Sequence, residues 1–187
     1  MMTAALALLL SASSAIAGPV AADLASERSA TVALRALAYD RSLKTRANAS
    51  VDVVIVHGAT ATAHDRAVLA AFQKLSASTV AGLPLHVTEV AWTDGASLQR
   101  SLADGSVEAL WIGDGLESGL PAILTAAGAA GATTLSDREV AVRAGVAIAV
   151  VIGADQRPAI FVNVTASHAQ GADLASDLLA LATVVDR

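Results

Sequence analysis

The sequence contains no cysteine. That excludes disulfides, thiolate nucleophiles, iron–sulfur clusters and cysteine zinc sites together. It leaves an oxidising compartment open, because an exported protein need not use disulfides. Aromatic residues make up only 3% of the 187 residues, so the interior has to be filled by Ala, Val, Leu and Ile. Such a core is built from many small contacts. Positive charge is scarce and scattered: 12 Lys and Arg stand against 17 Asp and Glu, a formal net charge of −5. A mildly acidic chain without a basic cluster lacks the electrostatic footprint of a nucleic-acid binder. The apolar runs are shorter than the roughly 20 residues that cross a bilayer.

Against these absences, 55% of the residues are hydrophobic. That proportion excludes a disordered chain, and the length suits one domain. The opening residues, MMTAALALLLSASSAIAG, read as a secretory signal: a short apolar run, then Ala15-Ile16-Ala17 with small residues where a signal peptidase cuts. No Lys or Arg precedes that run. The expected division is a signal peptide over 1–17 and an α/β domain over 24–187. The mature chain is expected to be exported and free of membrane insertion.

Periodicity organises the remainder. Residues 24–47 carry helical spacing, with Val32, Leu34, Leu37 and Ala38 on one stripe and Arg28, Arg35 and Asp40 elsewhere. VDVVIVHG, from Val51, is a β-branched run of the kind buried on both faces of a parallel sheet. Val68, Leu69, Phe72 and Leu75 recur at helical intervals. LHVTEVAW alternates as a strand nearer an edge, GASLQRSLADG is a short helix, and VEALWIGDG is a further strand. LPAILTAAGAAG reads as a small-residue helix, ATTLSD as a short strand, and residues 138–144 as a linking turn or helix. VAIAVVIG and AIFVNVT flank a short loop with Asp155 and Pro158, as antiparallel neighbours do. GADLASDLLALATVV ends the chain as a predicted helix, with Leu174, Leu178, Leu179 and Ala182 on one side. Alternating helices and strands predict an α/β layered fold: a mainly parallel sheet of five to six strands, helices on both faces, and a C-terminal antiparallel hairpin.

Chemistry is hard to place on this frame. His57, His64, His86 and His168 show no metal-ligand spacing, so no metal or cofactor is expected. There is no nucleophile elbow, and the adjacent Ser167 and His168 do not make a catalytic pair. The expectation is a protein that is not an enzyme. Gly113-Asp114-Gly115 with Gly119 follows a strand and opens a helix as a phosphate loop does, but Asp114 and Glu117 would repel a phosphate, and a tight turn serves equally. Trp92 and Trp111 stand near the C-terminal ends of predicted strands, where open α/β sheets place their crevices; each could equally cover a core edge. Candidate partner- or ligand-binding residues are therefore His57, Trp92, Asp94, Trp111 and Asp114.

Phe161-x-Asn163, a polar break, and then Gly171-Ala172-x-Leu174-x-Ser176-x-Leu178-Leu179-x-Leu181-Ala182 resemble the C-terminal signature of the YfiR family of periplasmic proteins. Val80-Ala81-Gly82-Leu83-Pro84-Leu85-His86-Val87 resembles that family's strand entry, and Leu34 to Asp40 its N-terminal helix. The motifs are soft, and their shared order along the chain carries the resemblance. It implies a periplasmic, usually dimeric, non-enzymatic α/β domain. The name-giving member represses a membrane diguanylate cyclase through its periplasmic domain and so controls cyclic-di-GMP. The implied partner is the periplasmic domain of an inner-membrane signalling protein, with a homodimer as the working form. Redox control through disulfides, which the name-giving member has, is excluded here. A periplasmic small-solute-binding protein is the alternative, with its crevice near His57, Trp92, Asp94 and Asp114.

Overall fold

The protein is described by a computed structural model covering residues 19–103 and 105–185, with side chains from residue 23. The expected signal peptide lies outside the described residues. The chain opens with α1 (Pro19–Leu37) and α2 (Leu43–Arg46), followed by β1 (Val51–His57), α3 (Ala63–Leu75), β2 (Thr79–Val80) and β3 (Leu83–Ala91). Then come α4 (Gly95–Ala103), β4 (Ala109–Ile112), α5 (Leu120–Ala130), β5 (Thr133–Ser136) and α6 (Glu139–Arg143). The chain closes with β6 (Ile148–Ile152), β7 (Pro158–Val162), α7 (Val164–Ala169), α8 (Ser176–Leu181) and β8 (Thr183–Val184).

The strands form one sheet in the order β2-β3-β1-β4-β5-β6-β7-β8. From β3 to β6 every neighbouring pair is parallel. β6 and β7 make the antiparallel hairpin that Asp155 and Pro158 signalled. The sheet has eight strands, not five to six. The two extra strands, β2 and β8, are two residues long each, too short to show alternation. β8 pairs in parallel beyond the hairpin, so β7 is not the sheet's edge.

Two cores sandwich the sheet. On one face Val53, Ile55, Trp111, Ile148 and Val150 meet Leu34 and Leu37 of α1, Val68 and Phe72 of α3, and Leu178 of α8. On the other, Val54, Val56, Leu110 and Ile112 meet Leu98 and Leu102 of α4 and Ile123 and Ala127 of α5. Alternation along β1 and β4 assigns successive side chains to opposite faces. Burial on both faces is why these strands read as unbroken apolar runs.

Two helices differ from the sequence reading. Residues 24–47 are not one helix; the chain breaks between α1 and α2 at Asp40. That residue is buried, although it lies off the apolar stripe. Its carboxylate accepts the Ser42 amide at 2.9 Å, the Ser42 hydroxyl at 2.7 Å and the Asp173 amide at 2.8 Å. Arg46 pairs with its other oxygen. The expected last helix over 171–185 is also interrupted. α7 occupies the polar break before it, capped by Asn163, whose Oδ1 accepts the Ala166 amide at 2.8 Å. Gly171, at φ +80°, then turns the chain, and residue 174 bridges back to Asp40 before α8 begins. Leu178 is buried as expected, and Leu174 with it.

Candidate functional site

The path of the chain fixes where a crevice opens. β1 leads through α3 to β3 on one side of it, and β3 leads through α4 to β4 on the other. The loops leaving β1 and β4 therefore diverge to opposite faces, at the switch point where open α/β sheets take ligands.

Asp65 sits at that point. Thr62 caps α3: its hydroxyl accepts the Asp65 amide at 3.0 Å, while the Asp65 carboxylate accepts the Thr62 amide at 2.8 Å. This is a reciprocal capping box. The other carboxylate oxygen accepts the Asp114 amide at 3.0 Å, so one side chain ties both loops. Burial works to raise the Asp65 pKa, but hydrogen bonds from Thr62 and Asp114 outweigh it and hold the group below its ordinary value. A Cβ on Gly113 would strike this carboxylate and come within 2.8 Å of the Val56 carbonyl oxygen. Glycine is therefore required there for close approach, not for cradling a phosphate. The protein fills its own anion position.

Around Asp65 the neighbouring loops carry further charge pairs. His64 Nε2 lies 2.6 Å from Asp137 Oδ2, joining the start of α3 to the loop after β5. That hydrogen bond to Asp137 raises the His64 pKa, against partial burial. Arg138 donates to the Gly113 carbonyl at 3.0 Å, pairs with Glu117, and stands 4.0 Å from Asp114. His57 ends β1 with Nδ1 2.7 Å from the Gly58 carbonyl and Nε2 3.5 Å from Glu89.

The sequence-selected residues separate here. His57 and Trp92 are joined, the Trp92 amide donating to the His57 carbonyl at 2.7 Å. The Trp92 indole lies against Gly119, where an added Cβ would come within 2.8 Å of Nε1. Asp94 accepts the amide and hydroxyl of Ser97 at 2.8 and 2.9 Å, capping the start of α4. Asp114 belongs to the crevice through its amide. Trp111 does not: it is 1% exposed and packs edge-on to Phe72 at 5.3 Å on the opposite core. Near a strand's C-terminal end, side-chain parity decides which layer a residue joins, and Trp111 falls on the α1–α3 side.

Sequence reasoning missed Asp65 as the tie between loops. The Thr62-x-x-Asp65 spacing signals the cap, but its second partner is 49 residues away. It also missed an apolar cleft of about 230 Å³ between α5 and α6, lined by Ile112, Leu116, Leu120, Val140 and Ala144. Val140 is 70% exposed there, and Glu117 and Arg138 rim it. Among the described residues no cluster of three His, Asp or Glu side chains is placed to hold a metal ion. No helix among them is long and apolar enough to cross a membrane.

No curated protein sequence matches the chain. Solved structures that share its fold include the following two. A conserved domain protein from Vibrio cholerae O1 biovar El Tor is 14% identical with a TM-score of 0.61, over 87% of this chain and 60% of that one. The ABC domain from Streptococcus pneumonia, solved in complex with L-Trp, is 12% identical with a TM-score of 0.58, over 86% of this chain and 62% of that one. The chain thus spans about three fifths of their length. At these identities the likeness is one of fold alone. The family model described as YfiR/HmsC-like matches residues 46–183, from α2 to β8. The chain belongs to the YfiR/HmsC-like family.

Proposed function

We propose that this is an exported regulatory protein without catalytic activity. It acts in the periplasm by binding the periplasmic domain of an inner-membrane signalling protein such as a diguanylate cyclase or a sensor kinase. The family match over residues 46–183 carries the reading. The site geometry supports it. At the switch point the amides of Thr62 and Asp114 are already taken by Asp65. A solute would have to displace a buried carboxylate that holds its own fold together. Exposed apolar surface beside a charged rim, as at Val140 between Glu117 and Arg138, suits a protein contact better.

The test uses the chain, expressed with its leader and a C-terminal tag, cross-linked in intact cells and recovered from the envelope fraction. The expected outcome is one membrane protein with a periplasmic domain. That domain, purified, should bind the tagged chain directly. Recovery of no membrane protein, or of one whose purified domain does not bind, overturns the reading.

A further inference from the structure

We propose that the outer edge of β3, residues 85–91, is a strand-addition site for an extended segment of another protein that carries a basic residue opposite Glu89. The proposal rests on the reading of the chain as a protein that acts by contact, and it names the surface and the partner's chemistry.

β3 is nine residues long. Its inner edge pairs with β1 from Leu85 to Ala91, whereas its outer edge pairs with β2 only at Leu83 and Pro84. Among the described residues no strand pairs with the outer edge beyond that. The Trp92 amide donates inward to His57. Alternate residues of an extended strand point their amides the same way, so those of Val87, Glu89 and Ala91 point outward. They form a row of free donors and acceptors of the kind that templates a further strand. On one face, His86, Thr88 and Val90 border a groove of about 410 Å³ walled by Ser101 and Val107. The groove runs on over Asp52 and Val54 of β1, and every second side chain of an added strand would flank its β3 side.

Charge selects the occupant. Glu89 stands on the other face, half-exposed at 52%, with the His57 ring 3.5 Å away. In an antiparallel pair, directly opposed residues share a face. A second copy of this chain would therefore set Glu89 against Leu85, Val87, Ala91 or another Glu89, none of which supplies a counter-charge. The chain's own first 18 residues contain no Lys or Arg. A foreign segment with a basic residue at that position meets both demands, backbone and charge.

The experiment titrates the isotope-labelled protein with two capped heptapeptides of alternating Val and Thr, one with Lys at its centre and one with Glu. The expected result is amide shifts concentrated at Val87, Glu89 and Ala91, with the Lys peptide bound about threefold more tightly. Glu89→Lys should reverse that order. Val87→Pro removes one outward donor at an edge position where proline is tolerated, and should abolish binding while the amide spectrum shows the sheet still folded; the lost packing of Val87 on the core lowers the melting temperature somewhat. Shifts elsewhere or none, or an order unmoved by Glu89→Lys, overturn the proposal. So does a concentration-dependent dimer of the protein alone that protects these amides. A Val87→Pro chain that still captures its membrane partner at full strength leaves the regulatory reading standing and removes this one.

Discussion

The carboxylate of Asp40 accepts the amide of Asp173, 133 residues further along the chain, at 2.8 Å. The link fastens the corner between α1 and α2 to the segment before α8. Arg41 and Asp173 pair beside it at 2.6 Å in a more exposed setting. The Asp40 carboxylate is buried and its donors are fixed, so it is the costlier contact to lose.

Asp40→Ala should destabilise the protein by about 3 kcal/mol, because it leaves Arg46 and three backbone or hydroxyl donors without their acceptor. Asp40→Asn keeps the shape and should cost less. Arg41→Ala, at an exposed pair screened by solvent, should cost far less than Asp40→Ala. Urea unfolding of the three variants measures the ranking. If Asp40→Ala and Arg41→Ala prove equal, Asp40 does not hold the corner.

Acid should expose the same contacts. Burial acts to raise the Asp40 pKa, but hydrogen bonds from Ser42, Asp173 and Arg46 prevail and lower it, and Asp65 is lowered in a similar way by Thr62 and Asp114. A carboxylate with a depressed folded pKa contributes stability that is present above its unfolded value, near 3.8, and lost as pH falls through the folded value. The melting temperature should therefore drop steeply below about pH 4. The drop should be shallower in Asp65→Asn.

His64 has the opposite sign. Its folded pKa is raised by Asp137, so its contribution is fully present below the unfolded value of about 6.5 and fades as pH rises through the folded value. The difference in melting temperature between the wild type and His64→Gln should be larger at pH 6 than at pH 9. An equal difference at both would mean that the imidazolium is not what joins α3 to the loop after β5.

Glu108 offers a gain. It is 1% exposed, and burial raises its pKa, with Asp52 adding to the same direction. Its oxygen accepts the Asp52 amide at 2.8 Å, a bond that a glutamine oxygen can also accept. Glu108→Gln should therefore leave the melting temperature at pH 7 unchanged or raise it, and should do more at pH 8 than at pH 5. A clear loss would show that the charge itself is used.

Leu178→Ala should cost about 2–5 kcal/mol, since the side chain is 1% exposed in the core beneath α8. Leu181→Ala, three residues on and 70% exposed, should fall within about 0.5 kcal/mol. Denaturant midpoints distinguish them, and equal losses would mean that α8 is not docked as described.

The sheet was legible where burial and period agree. Val51 to Val56 read as a doubly buried strand and are one, and Asp155 with Pro158 marked the hairpin. The same double burial hid which layer each side chain joins, so the sequence left Trp111 between a crevice and a core edge, and it packs on Phe72 in the core. Asp40 read only as a polar residue off the apolar stripe of a helix, because the Asp173 amide that makes its burial tolerable comes from the far end of the chain. Asp65 was legible as a helix cap and illegible as a tie to Asp114, for the same reason of distance. β2 and β8 carried no periodic signal at two residues each. The cleft at Val140 depends on how α5 and α6 are set against each other, which no local pattern encodes.

The two ends of the chain hold each other in place. The hydroxyl of Ser29 in α1 donates to the carbonyl of Val150 at 2.8 Å, and Asp40 waits for Asp173. During synthesis, N-terminus first, α1 can meet α3 early, but its bond to Val150 has to wait until some 120 residues more have emerged. Contacts that span so much sequence are slow to close and reward folding only late. A chain wired in this way can assemble its α1–α3 layer early and closes that layer onto the far half of the sheet only once nearly all of it has been made.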